Sequence, residues 1–153
     1  MESFLNKVKE FHETFDLPVL SEPTIPNEER TDLRLSLLKE ELQELEDAIN
    51  NNDMIEVFDA FNDILYILGG SILEFGMQDV FKEGFDEVHR SNMSKSCLSL
   101  KEALMTISHY KKKDRVESNY SEKQDKYIVK RNDGKLLKSI NYSPADLKKI
   151  IEK

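Results

Sequence analysis

The chain has 153 residues and a mass of 17.8 kDa, with 39% hydrophobic and 34% charged residues. That length predicts one compact domain with a small appendage. No apolar run reaches the ~18–20 residues needed to cross a bilayer, the opening Met1-Glu2-Ser3-Phe4 does not resemble a signal peptide, and the single cysteine, Cys97, excludes an internal disulfide framework and a thiolate zinc cage.

The expected setting is therefore the cytoplasm, and only five glycines point to a helical fold. The net charge of −8 conceals an asymmetry: residues 1–98 carry 22 acids and 8 bases, residues 99–153 carry 8 acids and 14 bases. An acidic body with a basic tail can hold cations in one part and anions with the other.

Phe4, Val8, Phe11 and Phe15 recur at helical spacing and predict a first helix over 2–16. Pro18, Pro23 and Pro26 then impose a tethered linker over 17–27. A second helix runs from about Glu28 to Ile49, with Leu35, Leu38, Leu42, Leu45 and Ile49 as its buried stripe. Asn50-Asn51-Asn52 ends it, and Asp53 with Glu56 forms a capping box for a third helix over 54–75. Apolar residues wrap most of that third helix, which predicts burial on most sides, and Gly69-Gly70 permits close packing near its end. A fourth helix starts near Asp79 with Phe81, Phe85 and Val88 facing inward.

Beyond residue 98 the character changes. Ser99 and Glu102 cap a helix over 100–112 whose inner face is Leu104, Ile107 and Tyr110. Tyr127-Ile128-Val129 and Leu136-Leu137 flank the turn signal Asn132-Asp133-Gly134, with an additional strand around 115–120. Ser143-Pro144 opens a last helix. The expected fold class is mainly α: a four-helix-bundle-type core over 1–98, and an appendage of helix, hairpin and final helix over 99–153.

Projected at 100° per residue, Glu56, Asp59, Asp63 and Tyr66 fall on one narrow stripe of the third helix. An ordinary amphipathic helix would turn such a stripe to water. Here the apolar arc is too wide for a surface helix, and interior carboxylates need protons or a cation. A hard divalent ion such as Mg²⁺ meets that need. The second helix offers matching ligands, Glu41 and Glu44 one turn apart with Arg34 on the same edge, whereas Glu46 and Asp47 suit a solvated face. Two antiparallel helices joined at 50–53 bring the two acid sets together.

On the fourth helix the inner stripe continues as Asn92 and Lys95, suited either to a base edge and a phosphate or to a frayed, solvated end. His89 is expected at the surface or in a second layer, and Cys97 inert.

The order Glu40-Glu41-x-x-Glu44, Asp63-Ile64-Leu65-Tyr66 and Glu87-Val88-His89-Arg90-Ser91-Asn92-Met93-Ser94-Lys95 resembles the MazG-like all-α nucleoside triphosphate pyrophosphohydrolases. The closer likeness is to the branch of phosphoribosyl-ATP pyrophosphohydrolase-like and deoxyuridine-triphosphatase-like proteins. Asp133-Gly134-Lys135-x-x-Lys138 and Ser143-Pro144-Ala145-Asp146-Leu147 match its C-terminal signature, and 99–130 looks like an insertion.

The resemblance implies Mg²⁺-dependent cleavage of an α–β phosphoanhydride, Mn²⁺ being the natural substitute. The family's E-x-x-E pair falls on Glu41 and Glu44, and the Asp of its E-x-x-D pair falls on Asp63. The Glu expected three residues earlier is Ala60, which leaves Asp59 or Glu56 to reach the cation. Glu40 or Glu44 is the expected general base. Arg34, Lys95, Lys135 and Lys138 are the expected partners of the phosphates, and Asn92 of the base. The expected partner is a small-molecule nucleotide rather than nucleic acid or a membrane, and a homodimer or larger homo-oligomer is implied. The rival readings are an enzyme for another pyrophosphate metabolite such as phosphoribosyl-ATP, and a non-catalytic helical binding or regulatory module.

Overall fold

The computed structural model describes residues 2–152, with side chains from Phe4 onward; Met1 and Lys153, the outer limits of the two expected domains, lie outside it. Within it the chain is mainly helical, with six helices and one two-stranded antiparallel hairpin, as expected. It forms two compact units, Met1–Lys82 and Glu83–Lys153, with the division falling inside the fourth helix.

The first unit is built from α1 (Glu2–Thr14), α2 (Glu28–Asn50) and α3 (Met54–Glu74). Asn27 caps α2 by accepting from Arg30 N, and Asp53 caps α3 by accepting from Ile55 N and Glu56 N. Between these caps, Asn52 adopts a positive φ that lets the chain reverse in a tight turn, so α2 and α3 form a helical hairpin, with α1 packed on α3. The proline-rich segment 17–27 is a strap tied down by Leu20 N to Leu73 O and Thr24 N to Phe75 O, both 3.0 Å, and by Gln78 Nε2 to Leu20 O at 2.8 Å.

Burial in this unit differs from the expected stripes. On α2, Leu35, Leu42 and Ile49 are exposed, and the buried positions are Arg34 and Ala48. On α3 only the C-terminal third, with Ala60 further back, is buried: Gly69, Gly70, Ile72, Leu73 and Glu74. Met54, Ile55, Phe58, Phe61 and Leu65 are exposed, Phe58 by 71%. Periodicity marks an apolar face without saying whether this chain or another covers it. Glu56, Asp59 and Asp63 are exposed too, which corrects the expectation of an interior acidic stripe.

The fourth helix, α4, is Gln78–Met93, and of its expected inner face Phe85 and Val88 are exposed while Ser91 is buried. In the second unit α5 (Leu100–Asp114) packs on a hairpin of β1 (Ser118–Lys123) and β2 (Lys126–Arg131). Ser99 caps α5, but Glu102 accepts from Leu98 N and from Ser139 Oγ, and the buried face of α5 is Glu102, Ala103 and Thr106 rather than Leu104. The core is Cys97, Ala103, Val129 and Leu137, with Ile107, Tyr110, Val116 and Tyr127 packed around it.

The strand expected as an addition is the main partner of β2, turned at Gln124-Asp125, where both residues have positive φ. The Asn132-Asp133-Gly134 turn forms as well, but it returns the chain only as a single bridge, Lys130 to Leu136, with Leu137 N bonded to Val129 O at 2.9 Å. The last helix, α6, spans Lys148–Ile151 and does not begin at Ser143. Ser143 N donates to Ser94 Oγ, its carbonyl accepts from Ser94 and Arg90, and Glu87 accepts from Asp146 N, so residues 143–146 are held extended against α4.

Candidate active site

The hairpin of α2 and α3 carries the acidic side chains. Glu41 is half-buried, and its Oε2 is shut off from water with no hydrogen-bond partner. Burial pushes its carboxyl above the ordinary range, and the charges of Glu44, Asp63, Glu40 and Asp59 push it further. Four of the expected acids thus act on the fifth, two from its own helix and two from the next. Glu40, Glu44, Asp59 and Asp63 are themselves exposed.

Ala60, where the family places a Glu, is buried, so this position is a packing contact, while Asp59 beside it is one of the acids felt by Glu41. The donor set fits a hard divalent cation: every group is a carboxylate, and one oxygen is buried and unpartnered. Among the described residues no three such groups already converge at coordination distance, so the exposed carboxylates must swing toward Glu41 to hold an ion.

Arg34 has a different neighbourhood from the one its position beside Glu41 suggests. It is buried and donates to Glu74 through Nε at 2.9 Å and through Nη2, while Arg30 donates to the same carboxylate through Nε at 3.0 Å and through Nη2. Arg34 Nη2 also lies 3.2 Å from His12 Nε2. Because a guanidinium only donates, Nε2 is the acceptor and His12 Nδ1 carries the proton, which it gives to Pro18 O at 2.9 Å. Burial lowers the His12 pKa and the Arg34 charge lowers it further, against the pull of the Pro18 carbonyl, so the ring is neutral. This network joins α1, the strap, α2 and α3. Its members His12, Arg30 and Arg34 line a cavity of about 360 Å³ together with Phe11, Leu37, Tyr66 and Ile67.

The sequence reading missed His12 and Glu74. A buried His and Glu leave no periodic trace, and only the Gly69-Gly70 step that admits the arginine hints at them: a Cβ on Gly70 would stand 2.8 Å from His12 Nε2 and 2.9 Å from Arg34 Nη1.

In the second unit, Lys95 Nζ donates to Asn92 Oδ1 at 2.6 Å, and Lys138 Nζ lies 4.3 Å from the centre of the Tyr142 ring. Lys135 is exposed at the Asp133-Gly134 turn, its backbone amide bonded to Asp133 Oδ1. His89 is exposed, at the surface as expected, and Cys97 is buried with its sulfur 3.5 Å from Thr106 Oγ1.

The family model described as phosphoribosyl-ATP pyrophosphohydrolase matches residues 8–92, more than half of the chain. An uncharacterized protein of Acanthamoeba polyphaga mimivirus is 27% identical over 213 aligned positions, which cover 82% of this chain and 85% of that relative. The fold and the acidic hairpin, taken with that match, define a helical pyrophosphohydrolase of the MazG-like type. The chain belongs to the phosphoribosyl-ATP pyrophosphohydrolase family.

Proposed function

We propose that the chain is a Mg²⁺-dependent nucleoside triphosphate pyrophosphohydrolase, which cleaves the α–β phosphoanhydride of a nucleotide or deoxynucleotide to the monophosphate and pyrophosphate. The observation that carries the reading is Glu41: a carboxylate with a buried, unpartnered oxygen, under the charge of two further acids on its own helix and two on the next. Such a cluster repels itself unless a cation balances it. Glu41, Glu44, Asp59 and Asp63 would hold the ion, with Mn²⁺ as a substitute. The bound ion supplies charge neutralisation at the phosphate oxygens and a lowered pKa for water.

Glu40 or Glu44 then accepts a proton from the attacking water. The water oxygen would form the new bond to phosphorus as the bridging P–O bond breaks and pyrophosphate leaves. No covalent intermediate with the protein is needed.

Cleavage of another pyrophosphate metabolite, phosphoribosyl-ATP among them, uses the same acids and is supported equally by the family match. The deoxyuridine-triphosphatase-like branch is one choice within this reading. Pyrophosphate release from the common ribo- and deoxyribonucleotides and phosphoribosyl-ATP, with and without Mg²⁺, separates these substrates. We expect metal-dependent release from a nucleoside triphosphate, abolished in Glu44→Gln. Release from phosphoribosyl-ATP alone contradicts the nucleotide assignment, and release from neither contradicts both.

A further inference from the structure

The inserted hairpin of β1 and β2 has two faces, and the fold uses one of them. In an antiparallel pair, residues directly opposite share a face and successive residues alternate. The register sets Tyr120 against Val129 and Glu122 against Tyr127, and Val129 and Tyr127 pack with Ala103 and Ile107 of α5. The rings of Tyr120 and Tyr127 meet on that side at 6.0 Å. The other face therefore carries Asn119 opposite Lys130, Ser121 opposite Ile128 and Lys123 opposite Lys126. Asn119, Ser121, Lys123 and Lys130 are exposed, and Lys126 and Ile128 are half-buried.

The charge on this outer face has one sign. Of the nearest carboxylates, Glu122 lies on the α5 side, bonded to Tyr127, and Asp125 sits in the turn. Among the described residues no ion pair involves Lys123, Lys126 or Lys130, whereas Lys111 and Arg131 have Glu117 and Asp133. Like charges directly opposite, with Cβ atoms about 5 Å apart, cost a sheet stability. The Gln124-Asp125 turn holds Lys123 and Lys126 in that arrangement, and an anion across both removes the cost. Lys130 follows about 13 Å further along β2.

That layout narrows the anion. A compact phosphate needs cations that converge, and these are strung along a ribbon. A nucleic-acid single strand is held by stacking its bases on aromatic rings, but both tyrosines of the hairpin face α5. A lipid surface takes an apolar wedge, and the face offers Ile128 alone. The major groove of B-form DNA admits a two-stranded ribbon, whereas that of A-form RNA is too deep and narrow for side chains to read.

We propose that the outer face of this hairpin docks double-stranded DNA, with Lys123, Lys126 and Lys130 on its phosphates and Asn119 and Ser121 as hydrogen-bonding neighbours. The chain as a whole, at net charge −8, repels a polyanion, so the contact is confined to the ribbon and tolerates any sequence. The acidic hairpin of α2 and α3 takes no part in it.

The test is fluorescence anisotropy of a labelled B-form duplex titrated with the full chain at low salt, with chelator present so that no metal bridges the acids to phosphate. Saturable binding is expected, and its log K should fall against log salt with a slope of about −3, one unit for each lysine. Lys123→Gln, Lys126→Gln and Lys130→Gln should each flatten that slope by about 1, and the triple variant should lose binding. Lys7→Gln, which makes the same change of net charge at an exposed site on α1, should leave binding unaltered.

Lys126→Gln relieves the cross-strand repulsion, so its thermal midpoint should be no lower than that of the parent and its weaker binding owes nothing to unfolding. Absence of saturable binding, or a triple variant that binds as Lys7→Gln does, overturns the proposal. Tighter binding of a single strand, an RNA duplex or phosphatidylserine vesicles than of duplex DNA overturns the choice of partner. Glu44→Gln should lose turnover and retain DNA binding, so this proposal and the hydrolase reading fail separately.

Discussion

Glu41 and Glu74 are carboxylates one helix apart with opposite electrostatics. Glu74 is 1% exposed. Burial alone would raise its pKa, yet the hydrogen bonds and charges of Arg30 and Arg34 outweigh burial and hold it below the ordinary range. Its contribution to stability is therefore present above the normal carboxylate pKa and lost as the pH falls through the lowered value. Glu74→Gln leaves Arg34 and Arg30 without their counter-charge, and a loss of about 3–5 kcal/mol in chemical denaturation is expected.

Glu41 runs the other way. Its raised pKa means that the metal-free protein is favoured while Glu41 keeps its proton and loses that advantage as the pH rises through the raised value. Glu41→Gln should accordingly raise Tm at pH 7 without metal, with the gain vanishing at acid pH, where Glu41 is protonated in the folded and the unfolded chain alike. A fall in Tm at pH 7 would show that Glu41 is satisfied by the protein itself.

Helices and caps follow from local chemistry, and these were legible. The α2 N-terminus, the Asp53 cap and the Ser99 cap rest on side chains beside the backbone amides they satisfy. The failures are non-local. Gln124-Asp125 is a weaker hairpin signal than Asn132-Asp133-Gly134, yet it turns the main ladder because Val129 and Tyr127 must face α5. Ser143-Pro144 has the residues of a helix start, but Ser94, Arg90 and Glu87 capture the segment first.

Glu87 records that capture: the guanidinium of Arg90, then the Asp146 amide, bring its carboxyl down to about 2. At the end of α3, Gly76 has φ +66°, and a Cβ there would meet Glu22 O at 2.0 Å. Gly76→Ala should thus displace the strap and cost about 2–4 kcal/mol in thermal or chemical unfolding. An unchanged midpoint would mean that the strap does not depend on this turn.

At the scale of the molecule, the expected fold class was legible because amphipathic periodicity survives whatever covers it. What covers it was not. Phe58, Phe61, Ile55 and Met54 on α3, with Leu42 and Ile49 on α2, leave the helical hairpin with an apolar face larger than isolated surface residues explain. We propose a second copy of the chain as its partner. Light scattering should report a dimer or larger assembly, and Phe58→Ser with Phe61→Ser should yield a folded monomer; a monomeric parent chain would contradict this.

The candidate site was legible to the extent that spacing puts Glu41 and Glu44 on α2 and Asp63 on α3, the two helices of one hairpin. The replacement of the family Glu by Ala60 was visible, but its burial was not. The central claim is that the acids around Glu41 capture a divalent cation. Titration of the chain with Mg²⁺ or Mn²⁺ by calorimetry tests this most directly: one saturable event at or below millimolar metal is predicted, lost in Glu41→Gln and in Asp63→Asn. No heat of binding at millimolar metal, or binding indifferent to both substitutions, would contradict it.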